Sequence, residues 1–312
     1  MAVVEPLFRH WGVLDVPSAR SLHSTPVVRG AGVALLVGAL CGLGIVLAAG
    51  AGEFDGIYGG IAIVALLSGA LGFFEDTAGI SILGRVLGQL LIGAVGAAGL
   101  SAYTGTSWPW TVIAAIFVAG YINVANFMDG VNGISGLHGV VVGGVFAFLG
   151  VWFGLGWLLF AGLLLAGVFG AFLPWNINSG RMFLGDAGSY LLGGVVSIIA
   201  VAAMMTGLPP LAVLGPLSIY LADTASTLTR RIARGEKWYE SHRGHAYQRM
   251  ADAGVDHAKV AAIVAVASAL AATFGCLSLI PSWEAACGAG AGIVAIVAGY
   301  LLLLTRVESL RQ

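Results

Sequence analysis

Apolar residues along this chain come in long runs, and polar residues gather in clusters between them. Ten runs are long enough, or nearly so, to cross a hydrocarbon core, which takes roughly 17–25 residues of helix. They are 31–50, 57–74, 83–102, 109–127, 136–153, 154–173, 188–206, 210–228, 259–280 and 284–305. The connections alternate between two kinds. Five are short and hold no Lys or Arg: 51–56, 103–108, the break near Gly154, 207–209 and 281–283. The others carry the polar residues: 1–30, 75–82, 128–135, 174–187, 229–258 and 306–312. This pattern predicts an all-α fold, a polytopic transmembrane helix bundle of about ten spans. A single domain covers 1–312, with 1–30 as a polar N-terminal segment and 229–258 as the one long polar loop.

Charge placement orients the bundle. All 14 Lys and Arg residues fall on one side once the spans are counted off. Arg85 and Lys259 lie just inside helix ends on that side, where long side chains snorkel to the interface. Positive charge marks the cytoplasmic face, so both termini and every polar loop are expected there, in a multi-pass membrane protein. Composition agrees: hydrophobic residues are 59% and charged residues 9%, and mean hydropathy is +0.96. A soluble domain carries about 25% charged residues, so a soluble enzyme is excluded, and no nucleic-acid partner is expected. The 48 glycines suit close helix contact in lipid and allow a homodimer. Cys41, Cys276 and Cys287 have no metal-ligand spacing and are read as packing residues. The polar, arginine-bearing first 30 residues do not read as a cleavable signal peptide.

The polar loops hold the chemistry. Glu75-Asp76 follows directly on the apolar run Leu66–Phe74, and adjacent carboxylates at a helix end are costly without a cation nearby. Arg85 is close in sequence. In Asn126-Phe-Met-Asp129-Gly-Val-Asn132-Gly133, residues 126, 129 and 132 share one face if helical. The glycines alternatively let the backbone leave the helix and approach a ligand. Two amides and a carboxylate suit a nucleobase or a metal-bound phosphate. Segment 174–187 holds Asn176, Arg181 as a phosphate fork, Phe183 as a stacking surface for a base, and Asp186. Asp186 is flanked by glycines at a helix start, where N–H groups favour an anion. His242, His245 and Arg249 lie in the long loop. Two His three residues apart lack further zinc ligands nearby, and with arginines around them they suit diphosphate oxygens. The N-terminal segment adds Arg20, His23 and Arg29, placed to meet an anionic lipid head group. His10, His138 and His257 are read as structural or solvated.

In order, Asp15-x-Pro17-x-x-Arg20-x-x-His23, Gly72-x-x-Glu75-Asp76, Asn126-x-x-Asp129-Gly-x-Asn132-Gly133, Phe183-Leu-Gly185-Asp186-Ala-Gly188-Ser189 and the His242/His245 loop resemble the polyprenyl-phosphate N-acetylhexosamine-1-phosphate transferases, glycosyltransferase group 4. The resemblance covers nearly the whole chain. It implies that undecaprenyl phosphate attacks the β-phosphorus of a UDP-N-acetyl sugar, giving a lipid-linked sugar diphosphate and UMP. It implies Mg²⁺, with Mn²⁺ as a substitute, because phosphoryl transfer depends on positioning and charge stabilisation. By motif position Asp186 is the implied direct metal ligand. Asp76, with Glu75, is implied at the lipid phosphate or the metal; Asp129, Asn126 and Asn132 at the uridine or the reaction; Phe183 at the uracil; His242 and His245 at the diphosphate.

This chain departs from the pattern in three places. Many members have Asp-Asp where Glu75-Asp76 stands, and many have Asp where Asn132 stands. The family usually has eleven spans, and here ten are expected, without the helix that precedes Asp15. Ser241-His242-Arg243-Gly244-His245 resembles the O-antigen-initiating type and lacks the triple-His run of the type that takes UDP-MurNAc-pentapeptide. A plain or 6-deoxy UDP-N-acetylhexosamine donor, feeding surface polysaccharide, is the expectation.

Two other classes compete. A secondary transporter would hold its substrate near the midplane on broken, repeat-related helices, whereas the acids here cluster at one end. An undecaprenyl-diphosphate phosphatase would also use acids and arginines at an interface, but would release phosphate.

Overall fold

The computed structural model describes residues 5–6, 14–15, 27–50, 55–177, 182–237 and 243–309, with side chains throughout except at 14, 15, 27, 29 and 304–309. Among these, ten helices are long and apolar enough to cross a membrane. They are α1 (Ala31–Ala48), α2 (Gly56–Ala78), α3 (Ile82–Thr104), α4 (Trp108–Phe127), α5 (Ile134–Phe153), α6 (Gly156–Asn176), α7 (Gly185–Met205), α8 (Pro210–Ala233), α10 (His257–Gly275) and α11 (Trp283–Ser309). The short helix α9 (Ala246–Asp252) follows α8. The all-α bundle of ten spans is therefore the fold of this chain.

α7 is the axis. Sixteen of its residues are buried, from Ala187 to Ala203 with one break at Val195, and it packs against α1, α2 and α4. Apolar residues on the outer helices point away, including Leu83, Leu91, Trp110 and Val151. This is the expected inversion for a bundle whose solvent is lipid, where association rests on close packing and interhelical hydrogen bonds. Asn123 of α4 donates to Gln89 of α3 in such a bond. Cys41 and Cys287 are exposed on the helix surfaces rather than packed inside, which corrects the reading of them as packing residues.

Two helices run further than their apolar runs. α2 continues to Ala78, so Glu75 and Asp76 stand in its last turn rather than in a loop. Polarity at the interface does not stop a helix; Gly79, at φ 69°, does. α6 passes through Pro174 and ends at Asn176. The segment after α4 leaves the helix at Phe127, so residues 126, 129 and 132 do not share a helical face.

A three-stranded sheet at the polar end was not anticipated. β1 (Leu14–Asp15) pairs antiparallel with β2 (Val27–Arg29), and β2 pairs parallel with β3 (Met182–Phe183). Arg29 lies in register with Phe183. The N-terminal segment, expected to lie along the interface, is thus joined at 27–29 to the loop that carries the Phe183 and Asp186 motif.

Candidate active site

The site is built where the ends of α2, α4 and α7 meet. α2 and α7 approach so closely that a Cβ on Gly72 would overlap the Asp186 carbonyl. One turn on, the Asp76 carboxylate faces the start of α7. Its Oδ1 accepts from the Asp186 N–H at 3.0 Å and its Oδ2 from the Ala187 N–H at 2.9 Å. Asp76 therefore caps α7 from another helix and satisfies N–H groups that have no partner within their own helix. Gly185 makes this fit: its φ is 71°, and a Cβ there would lie 2.7 Å from Asp76 Oδ2.

Asp186 is half-buried in the first turn of α7. Its Oδ1 accepts from Asn126 Nδ2 at 2.7 Å, and the same amide reaches Ser189 Oγ at 3.0 Å. Asn126 at the end of α4 thus holds the Asp186 side chain while Asp76 holds its backbone. Tyr190, one turn below, lies within electrostatic reach of Asp186, Arg85 and Glu75. Glu75 faces the other way. Its Oε1 pairs with Arg85 at 3.4 Å and its Oε2 accepts from the Ile80 N–H at 2.9 Å, closing the turn between α2 and α3.

The glycine-bearing turn after α4 forms the next wall. Asp129 Oδ1 accepts from Ser135 Oγ at 2.6 Å, and both Asp129 and Asn132 are half-buried. Asn176 is buried and acts on the backbone: its Oδ1 accepts from the Gly133 N–H and its Nδ2 donates to the Met182 carbonyl at 3.0 Å. It joins this turn to β3, so the half-buried Phe183 follows directly. His138 beneath is structural, as read. It is buried, hydrogen-bonded to Tyr121 at 2.8 Å and stacked on Tyr220 at 3.6 Å, and Tyr220 donates to the Ile134 carbonyl.

The 243–252 segment closes the remaining side. Tyr247 donates to the Phe127 carbonyl at 2.8 Å and leaves no room for a Cβ on Gly130. Burial, then the nearby Asp223 and Asp129 charges, push the Tyr247 phenol well above its ordinary value, so it is a neutral donor. His245 is buried with its ring 5.9 Å from that of Phe127. Arg249 lines a cavity of about 210 Å³ with Thr227, Arg230, Arg231, Arg234 and Glu236.

The structure thus gathers Asp76, Asp186 and Asn126 into one hydrogen-bonded cluster, with Asp129, Asn132, Asn176, Phe183 and His245 on the segments around it. Arg249 lies on α9 beyond His245. Arg20, His23, Arg181 and His242 lie outside the described residues, and Arg29 is described only as β2 backbone. Reasoning on sequence singled out no role for Asp223, which is wholly buried and hydrogen-bonded to His245. The signal was present: an acid placed between apolar positions in a span needs a partner.

Comparison with known proteins follows the same residues. The family model for glycosyl transferase family 4 matches residues 58–204, which hold Asp76, Asn126, Asp129 and Asp186. A probable undecaprenyl-phosphate N-acetylglucosaminyl 1-phosphate transferase of Bacillus subtilis (strain 168) is 24% identical over 270 residues, 79% of this chain and 72% of that protein. A decaprenyl-phosphate N-acetylglucosaminephosphotransferase of Mycobacterium tuberculosis (strain CDC 1551 / Oshkosh) is 25% identical over 353 residues, covering 97% of this chain and 85% of its own length. A phospho-N-acetylmuramoyl-pentapeptide-transferase of Shouchella clausii (strain KSM-K16) is 29% identical over a shorter stretch, 46% of this chain and 51% of the relative. With its ten-span bundle and its ordered motif loops, this chain is similar to glycosyl transferase family 4 over residues 58–204, and over most of its length to proteins named as polyprenyl-phosphate N-acetylglucosamine phosphotransferases.

Proposed function

We propose that this protein transfers an N-acetylhexosamine 1-phosphate from a UDP-sugar to undecaprenyl phosphate in the bacterial inner membrane, releasing UMP on the cytoplasmic side. The observation that carries this reading is the cluster of Asp76, Asn126 and Asp186 at the polar end of a lipid-facing bundle. A membrane-embedded acceptor and a water-borne anionic donor meet only at such a boundary. The placement of all 14 Lys and Arg residues supports a cytoplasmic face. The names of the relatives support GlcNAc as the sugar, with a 6-deoxy N-acetylhexosamine as the second donor class, and the product would start an O-antigen-like surface polysaccharide.

The donor set fits a hard divalent cation. Asp186 is a half-buried carboxylate oriented by an amide, with a second carboxylate, Asp76, directly behind it. Among the described residues no group of three or more potential ligands is assembled. Mg²⁺ requires none, because it takes one or two carboxylates and completes its shell with water and phosphate oxygens. Asp186 would hold Mg²⁺, or Mn²⁺ in its place, with Asp76 supporting it, and the ion would neutralise charge on the diphosphate. The remaining work belongs to the chain. Asn126 fixes the Asp186 rotamer. Phe183 offers a face to the uracil. Asn132 and Asp129 border the nucleotide, and His245, with His242 and Arg249, meets the diphosphate. The lipid phosphate is anionic at neutral pH, so attack needs alignment more than a strong base.

The test is UMP release by purified protein given undecaprenyl phosphate, Mg²⁺ and a panel of UDP-N-acetyl sugars. Release that depends on both lipid and metal supports the proposal, and the most active donor identifies the sugar. Inorganic phosphate from undecaprenyl diphosphate, without UMP from any donor, would instead make the protein a phosphatase.

A further inference from the structure

Asp223 lies within α8, the least uniformly apolar of the spans by mean hydropathy, and its side chain is 0% exposed. A carboxylate buried at that depth is costly unless every lone pair is used. Here five donors converge on it. Oδ1 accepts from the Ala246 N–H at 2.8 Å, from His245 Nδ1 at 3.3 Å and from Thr227 Oγ1 at 3.4 Å. Oδ2 accepts from the Tyr300 hydroxyl at 2.7 Å and the Tyr247 N–H at 3.2 Å. Three elements, α8, α9 and α11, are held through one side chain.

From this geometry we infer that Asp223 is a positioning residue for His245: it holds the ring through Nδ1, with the hydrogen on that nitrogen, and so fixes where the ring stands beside Phe127. The inference rests on the transferase reading and deepens it. An ionised carboxylate only accepts, so an Nδ1 bonded to it carries the hydrogen. The mount is rigid on every side. His245 begins α9, whose first two N–H groups are bound by the same carboxylate. Its ring packs 5.9 Å from the rings of both Phe127 and Tyr247. Tyr247 is tied to the Phe127 carbonyl, one residue beyond Asn126. The charged and titratable groups around the dyad are Tyr300 of α11, Tyr247 of α9, Asp129 after α4, and Arg243. A histidine positioned this way transmits the register of α8 to the loop beside Asp129.

A merely structural Asp223 would anchor α9 without acting through the ring, and two readouts separate the cases. The first is the tautomer of His245 in the wild-type protein, read from ¹⁵N chemical shifts of labelled histidine and assigned by its loss in His245→Gln. One Nδ1–H tautomer is expected, and an Nε2–H tautomer overturns the inference. The second is a double-mutant cycle on UMP release. Asp223→Asn supplies one acceptor oxygen instead of two, so kcat is expected to fall about 10–100-fold, the usual effect of removing a residue that orients a functional histidine. In the His245→Gln background the same change should alter kcat less than about twofold. Equal losses in both backgrounds would make Asp223 a loop anchor only. Tyr300→Phe removes one bond to Asp223 without touching the ring. It should lower thermal stability while keeping the tautomer, and a switched tautomer there would also overturn the assignment. Absence of UMP release by the wild type would refute the transferase reading, while the ¹⁵N tautomer would still decide the dyad.

Discussion

The side chain of Asp76 is bonded to the backbone of Asp186, not to its carboxylate: Asp76 Oδ1 accepts from the Asp186 N–H at 3.0 Å, and Oδ2 takes the next N–H along. One acid therefore sets where the other stands. Asp76→Ala leaves two N–H groups of α7 without that acceptor at a tightly packed helix end, a loss of about 1–3 kcal/mol each where water cannot replace it. The expected outcome is lower thermal stability together with lost turnover. Asp76→Asn, which keeps one acceptor oxygen, should recover much of the stability. Thermal unfolding in detergent measures both, and an Asp76→Ala protein as stable as wild type would remove the capping role.

Asp186→Ala should behave differently. The bond its Oδ1 accepts comes from a side-chain amide, Asn126 Nδ2. Turnover should fall by about 10²–10³-fold or more, the scale of losing a main electrostatic contact, while the melting temperature changes little. Near-normal rates at saturating Mg²⁺ would take Asp186 out of the metal site.

Removing metal by chelation should abolish UMP release, and Mg²⁺ or Mn²⁺ should restore it. Full activity after exhaustive chelation would exclude a divalent cation from the reaction.

Phe183→Ala should weaken donor binding more than acceptor binding. Stacking of a base on an aromatic ring contributes about 1–3 kcal/mol, so KM for the UDP-sugar should rise about tenfold with KM for the lipid nearly unchanged. Equal increases in both would argue against stacking.

Gly72→Ala tests the close contact of α2 and α7. The added methyl would overlap the Asp186 carbonyl, which is backbone and cannot turn aside. Overpacking costs about 1–3 kcal/mol, and the displacement falls on Asp186 itself. Loss of turnover larger than the loss of stability is expected; unchanged activity would mean that the helix pair relaxes without moving the carboxylate.

The ten spans were legible because each writes itself as a long apolar run, and the motif loops because polar residues are rare elsewhere. That Asn126 and Asp186 stand at the polar end of the bundle was legible for the same reason. How the acids work was not. Sequence spacing places Asp76 near a cation, but only the fold reveals that it faces the start of a helix more than a hundred residues away. Asn176 read as a ligand contact and proves to bind backbone at both ends of its amide. β1, β2 and β3 are two or three residues long, too short for any alternation to show. Asp223 drew no role from the sequence because four of its five donors, at His245, Ala246, Tyr247 and Tyr300, come from outside α8, so their convergence exists only in three dimensions.

The parallel pairing of β2 with β3 also sets an order of assembly. During synthesis Val27–Arg29 are made just before α1, yet their partner, Met182–Phe183, appears only after α6. Tyr300, which completes the bonding of Asp223, arrives in α11. β2 can pair with β1 at once, but its other edge must wait for β3, since a long-range contact forms only once its loop can close. A nascent chain halted before α11 would carry Asp76, Asn126 and Asp186 but lack one of the five donors that surround Asp223, so the buried carboxylate completes its bonding late in the life of the polypeptide.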